Sequence, residues 1–373
     1  MDRFAVATLP LHDGRAPSYL VERMKRASSA IASIMCQELG TRAFLERLAD
    51  PLWFQALGAA LGYDWHSSGV TTVLTGVLRE VLSMEEQGIA VVGGKGGMMK
   101  LVPQEIDVMA EAGMVGDAKA EELRRASRLS ARVDTSAVQA GYDLYHQALF
   151  VDEGGNWVIV QQGMNPREGN ARRYHWMRTE RFVGDPPESA IGYKKDYVLN
   201  MADGAAEGAR RASLELVRER TEYLMAALEA SRHTTLDLFS ERGAPRFEME
   251  MDVQLPRRVN WNAVRSMYEH PPSTYEELLL VPGAGPATVR ALSLLSQLMY
   301  GEKLCWRDPI KFSFAVGGKD GVPYPVDRGT YDAVIRELEE AARQTELEDQ
   351  DKRWVLRRLA GLSVGESRRS RPG

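Results

Sequence analysis

The stretch from Leu278 to Leu292 leaves the backbone little choice. Apolar residues Leu278, Leu279, Leu280 and Val281 run into Pro282-Gly283-Ala284-Gly285-Pro286, and a second amphipathic run leaves the turn. Ser273-Thr274-Tyr275-Glu276, just ahead, reads as a capping box that starts a first helix. Gly283 and Gly285 permit a tight connection with positive φ and no Cβ in the way. Pro286 suits the first turn of a second helix, expected to reach Tyr300 with Gly301 as its C-cap.

This stretch resembles a helix-hairpin-helix, a module that grips a nucleic-acid backbone without reading sequence. A glycine turn at a helix N-terminus exposes backbone N–H groups and the positive end of the helix dipole, and both suit a phosphate oxygen. Thr288 adds a hydroxyl and Arg290 a charge to the expected DNA face, and Lys303 and Arg307 follow. The competing reading is an ordinary pair of packed helices joined by a glycine turn.

The 373 residues suffice for two or three domains. A formal net charge of −5 excludes a uniformly basic surface and leaves room for a local basic groove. Cys36 and Cys305 form no CxxC pair, which argues against a zinc ribbon or a disulfide framework and points to a reducing cytoplasm. No stretch approaches the ~20 apolar residues of a membrane span, and the N-terminus does not read as a signal peptide.

Helical periodicity predicts helices over 18–39, 41–48, 70–83, 103–130 and 201–230. Residues 50–62 are apolar on most faces, as a buried segment would be. Ile89 to Val92 reads as a short strand entering Gly93-Gly94-Lys95-Gly96-Gly97. The spacing there is not that of a P-loop; the loop is either a phosphate contact through Lys95 or a hairpin tip. Two β-rich runs around Glu153-Gly154-Gly155-Asn156 predict a β-hairpin, with a further strand within the segment 167–181. The fold class expected is α+β or α/β: mostly helical, with a small, largely antiparallel sheet and a helical C-terminal part carrying the hairpin. The expected division is an α/β catalytic domain at 1–200, a helical connector at 201–260, the hairpin region at 261–345 and a tail at 346–373. Within the last two, a strand is expected at 311–315 and a helix at 330–344.

Polar side chains set within apolar strands are the second signal, because burying them costs free energy unless they are paired. His146, Gln147, Gln161 and Gln162 are of this kind, and His175 follows on the next strand. Asp134, Asp143 and Asp152 supply oxygen ligands of the type Mg²⁺ or Mn²⁺ uses, with no diagnostic spacing. Asp64 and His66 lie between two apolar segments and read either as an acid–base or metal pair or as ties of a loop. Arg172 and Arg173 stand among aromatics, the texture of a nucleic-acid surface, or equally of a solvated face with an aromatic anchor.

The strings Leu9-Pro10-Leu11-His12, Asp64-Trp65-His66-Ser67-Ser68-Gly69, Gly93-Gly94-Lys95-Gly96, Tyr145-His146, Gln161-Gln162-Gly163-Met164-Asn165, Arg173-Tyr174-His175-Trp176 and Gly317-Gly318-Lys319-Asp320-Gly321 occur in this order. By them the chain resembles domain-of-unknown-function family 763 of archaea and bacteria over nearly its whole length. Together with the hairpin, this implies a protein of DNA transactions, in repair or processing. One expectation is a metal-dependent DNA nuclease. In it Asp134, Asp143 or Asp152 hold Mg²⁺ or Mn²⁺, His146 or His175 move a proton, Lys95 steadies developing charge, and Asp64, His66, Gln139, Gln161 and Gln162 complete the site. The other is a non-catalytic DNA-binding adaptor that recruits repair or replication proteins, with the polar cluster a core network.

Overall fold

A computed structural model describes residues 9–10, 18–61, 68–186, 189–240, 255–256 and 258–310. Asp64, His66, the strand expected at 311–315 and the helix expected at 330–344 lie outside them.

The centre is a six-stranded antiparallel sheet. Its long strands are β2 (Ile89–Lys95), β4 (Asp143–Asp152), β5 (Trp157–Asn165) and β6 (Asn170–Met177). The short β1 (Leu9–Pro10) lies beyond β6, giving the order β1-β6-β5-β4-β2, and β7 (Ser189–Ile191) also pairs with β6. A separate two-stranded ladder joins β3 (Val138–Gln139) to β8 (Leu199–Asn200).

Both faces of the large sheet are covered, so β5 is a nearly continuous buried run rather than an in–out alternation. On one face Ala148, Phe150, Val158 and Val160 pack against α1 (Ser18–Leu39), α2 (Thr41–Ala49), α3 (Pro51–Ala60) and α4 (Ser68–Val81). On the other, Leu149, Val151, Trp157, Ile159 and Trp176 pack against α5 (Val102–Glu111) and α6 (Asp117–Arg132). The single helix expected at 103–130 is thus two, divided by a turn that carries Gly113 and Gly116. A π-turn, Val133–Ala137, carries α6 into β3. The helix expected at 201–230 is also divided, into α7 (Glu207–Leu216) and α8 (Thr221–Ser240), and nothing in the sequence marks the break. Among the described residues no helix is long and apolar enough to cross a membrane.

The hairpin consists of α10 (Tyr275–Leu280) and α11 (Pro286–Tyr300), preceded by α9 (Trp261–Glu269). Thr274 caps α10 by accepting the Glu277 N–H at 3.1 Å, while the Glu277 carboxylate accepts the Ser273 N–H at 2.7 Å. The capping box is therefore closed by Glu277. Glu276 turns away to Arg125 and to the Phe182 N–H. Gly301 ends α11 in the left-handed region, φ 69°. Leu278, Leu279, Val289, Leu292 and Leu295 belong to the same apolar cluster as α6, α7 and the sheet, so the hairpin is built onto the core.

Residues 304–310 run beside β8, with the Asn200 N–H donating to the Cys305 carbonyl at 2.8 Å. Their anchor is Asp308, which takes a two-pronged hydrogen bond from Arg172 on β6, at 2.7 and 3.1 Å, with both side chains fully buried. The Arg172 guanidinium also lies over the Tyr142 ring, 4.6 Å from its centroid. Removing one member of a buried ion pair strands the other charge. Asp308→Ala is therefore expected to cost about 3–5 kcal/mol in equilibrium denaturation, and Arg172→Met with Asp308→Leu to recover most of it. A loss under about 1 kcal/mol for Asp308→Ala would show that the pair does not anchor this segment.

Candidate functional site

The sequence's polar residues fall into two networks, one on each face of the sheet. The strand registers decide this, because successive side chains point to opposite faces. Lys95 pairs with His146, His146 with Gln162, and Gln162 with Arg173, so one row of polar side chains crosses four strands toward α3 and α4. A bulge between Leu144 and His146 sets this register.

Helix α4 meets the row with Ser68, Thr71 and Thr75, all buried. Thr71 donates to Gln162 Oε1, and Gln162 Nε2 donates to the Ser68 carbonyl at 2.8 Å and to the Tyr145 hydroxyl. The Thr75 hydroxyl donates to the Thr71 carbonyl at 2.8 Å. It is therefore left as acceptor for His146 Nε2 at 2.9 Å, which places the His146 proton on Nε2. Arg173, 1% exposed, reaches Gln55 Oε1 at 3.3 Å, and Thr71 Oγ1 and the Pro51 carbonyl at 3.5 Å. Its guanidinium stands over Phe54, 4.7 Å from the ring centroid. His175, two residues on, packs edge-on against the same ring at 5.2 Å and lies 2.9 Å from the Leu48 carbonyl through Nδ1. A carbonyl only accepts, so the His175 proton sits on Nδ1.

The other face carries a chain of neutral donors ending on a carboxylate. Ser127 on α6 donates to Gln147 at 3.0 Å, Gln147 to Gln161 at 3.0 Å, and Gln161 to Asp134 at 2.7 Å. Trp176 Nε1 donates to the same Asp134 oxygen at 2.9 Å. The π-turn after α6 is what delivers Asp134 to this place.

Several expected site residues do not meet. Asp143 and Asp152 stand at opposite ends of β4, about 30 Å apart at ~3.3 Å per residue. Asp143 is exposed, whereas buried Asp152 closes the β4–β5 turn through the Asn156 N–H at 2.8 Å and takes the Thr41 hydroxyl at 3.0 Å. Asp134 lies on the opposite face of the sheet from Asp152. One metal cannot use the three, and among the described residues no three His, Cys, Asp or Glu side chains form a group able to hold one. Lys95 is exposed at the end of the row. Gly93 and Gly94 belong to β2 rather than to a loop, Gly93 donating its N–H to Glu105 at 2.6 Å where a Cβ would sit 2.3 Å from the Gln147 carbonyl, and Gly96 and Gly97 open a 3₁₀ turn, Gly96–Leu101.

The DNA-face expectations divide likewise. Arg172 and Arg173 are buried, the first in its ion pair, so neither meets a nucleic-acid backbone at the surface. Thr288 is buried, with its hydroxyl accepting the Asn260 N–H at 3.3 Å. Gly283 is exposed, at φ 84°. Arg290 Nε donates to Gln139 at 2.8 Å, and Gln139 Nε2 donates to the Pro286 carbonyl at 2.8 Å. Gln139 is thus a clamp on the hairpin rather than a member of either polar network. Lys303 and Arg307 are exposed, Arg307 paired with Asp203 at 3.0 Å. The sequence reading missed Gln55, Thr71, Thr75, Ser127 and Asp308. The spacing of Ser68, Thr71 and Thr75 on one helix stripe was the available signal.

Fold and networks together define a three-layer α+β protein: an antiparallel sheet between two helical layers, with a clamped helical hairpin on one side. The family described as Protein of unknown function (DUF763) matches residues 5–326, and the chain belongs to it. No curated protein and no solved structure matches it.

Burial pushes the His146 pKa down to about 3, with Lys95 adding to the effect, and pushes His175 well below the ordinary value, with Arg173 adding and the Leu48 carbonyl opposing. Both imidazoles are neutral in the fold and take up a proton near pH 6.5 once unfolded. Between pH 6.5 and about 3 the unfolded chain binds more protons, so stability falls as pH falls through that window. His146 alone is expected to contribute about 1.4 kcal/mol per pH unit there. His146→Gln should flatten the dependence of denaturation midpoint on pH between 6.5 and 4.5, and an unchanged slope would sink the assignment.

Proposed function

We propose that this protein binds DNA through the sugar–phosphate backbone at the Val281–Pro286 turn, as a non-catalytic adaptor in DNA repair or processing. One observation carries the reading. Gly285 has an ordinary φ of −85° and nothing within 4 Å of where a Cβ would stand. The fold itself gives no reason for glycine there, so the space it leaves is space for an outside group. Gly283, by contrast, is required internally: it has positive φ, and a Cβ would meet Asn260 at 2.3 Å.

The 15-residue α11 begins at this turn. Its first N–H groups have no partner within the helix, and its dipole favours an anion. The Gln139 clamp on Pro286 and Arg290 holds the turn in place, which lowers the ordering cost of binding. A metal-dependent nuclease remains the alternative; the separation of Asp134, Asp143 and Asp152 counts against those three sharing one metal. Partner proteins of repair or replication would then supply the chemistry.

Gly285→Ala is expected to leave the melting temperature unchanged and to weaken duplex binding by about tenfold, the loss of ~1.4 kcal/mol from one backbone contact, equally for unrelated sequences. Fluorescence anisotropy with labelled duplexes checks this; unaltered affinity in Gly285→Ala would remove the reading. Incubation of single-stranded, duplex, flap and junction DNAs with Mg²⁺ or Mn²⁺ is expected to give no cutting. Cleavage abolished by chelator would restore the nuclease.

A further inference from the structure

Strand β6 holds two consecutive arginines that point to opposite faces of the sheet, and the structure treats them differently. Arg172 has a carboxylate gripped at two points. Arg173 is equally buried, but all its hydrogen-bond acceptors are neutral: a glutamine oxygen, a hydroxyl and a backbone carbonyl, at 3.3–3.5 Å. Among the described residues no carboxylate contacts it; its Nε, like that of Arg172, has no partner, so the missing carboxylate is what sets it apart. Buried cations are ordinarily paired, because a desolvated charge held only by neutral groups is costly.

A second buried polar atom stands close by without a partner. His175 Nε2 has none, and its Nδ1 donates to the Leu48 carbonyl, so Nε2 carries a lone pair that accepts. Arg173 and His175 are two residues apart on the same face of β6, and both rest on Phe54. Side by side are therefore a positively charged donor seeking an anion and a neutral acceptor seeking a hydrogen.

We propose that Arg173 and His175, between β6 and α3, form a binding site for an oxyanion that also carries an O–H, as hydrogen phosphate or a phosphomonoester does. Arg173 supplies the charge and donates through Nε; His175 Nε2 accepts the ligand's hydrogen; Gln55 and Thr71 position the guanidinium. A phosphodiester has an anionic oxygen and no O–H, so this site is chemically distinct from the hairpin turn. The inference does not depend on DNA binding there. Burial lowers the Arg173 pKa to about 9, which leaves it protonated at neutral pH.

The test is a thermal-shift and calorimetric titration of the full chain at constant ionic strength and pH 6.0, where about half of a phosphomonoester is protonated. The probes are inorganic phosphate, methyl phosphate, dimethyl phosphate and sulfate. Saturable stabilisation by the first two, at least tenfold weaker for the last two, is expected, and Arg173→Met should abolish it. If that variant fails to fold, Arg173→Lys, which keeps the charge and loses the fork, is expected to lose at least tenfold in phosphate affinity. An inorganic phosphate response without a methyl phosphate response narrows the ligand to the free anion and supports the site. Three results overturn it: no phosphate-specific shift in the native chain; equal response to sulfate; or an undiminished response in the folded Arg173 variant.

Discussion

Covering an antiparallel sheet on both faces removes the water that would otherwise satisfy its polar side chains. That constraint governs the rest of this protein. Each polar group carried into the middle layer must find a partner from the helices above or below. The helices show it: α4 brings Ser68, Thr71 and Thr75, α6 brings Ser127, and the π-turn brings Asp134. The two networks differ in charge. The α6 side gathers neutral donors around one carboxylate. The α4 side gathers neutral acceptors around one guanidinium.

The hairpin depends on the same layer by another route. Gln139 leaves the π-turn, joins β8 through the small ladder and ends on the carbonyl of the first residue of α11. The turn is thus referenced to the sheet through a few covalent and hydrogen-bonded steps. Its apolar helix faces merge with the cluster under α6 and α7. A surface element built this way is positioned as firmly as the core it grows from.

Much of this was legible in the sequence. The β-hairpin, the helices at 18–39 and 41–48 and the Gly301 stop follow from local rules of spacing and turn chemistry; the capping box was legible one residue early, on Ser273 and Glu276 rather than Thr274 and Glu277. The polar residues were legible as a group, since Gln161 and Gln162 in an apolar run demand partners. Their assignment to two faces was not, because the bulge beside Tyr145 sets the parity of β4 and no local pattern announces it. Asp134, Asp143 and Asp152 read as alternative metal ligands; the length of β4 separates the last two, and Asp134 lies on the opposite face of the sheet from Asp152. Arg172 and Arg173 looked alike as surface residues. Their partners, Asp308 and Gln55, are 136 and 118 positions away, beyond the reach of any window.

The paired arginines also bear on how the chain checks its own assembly. A slip of β6 by one residue would put one arginine in the other's place and move every neighbouring side chain to the wrong face. The two residues are identical, so nothing in the slipped strand itself would register the error at this position. Asp308 requires an arginine at the Arg172 place, since any neutral side chain there would leave its carboxylate buried without a counter-charge. The check on a strand in the middle of the fold therefore comes from a residue 136 positions further along the chain.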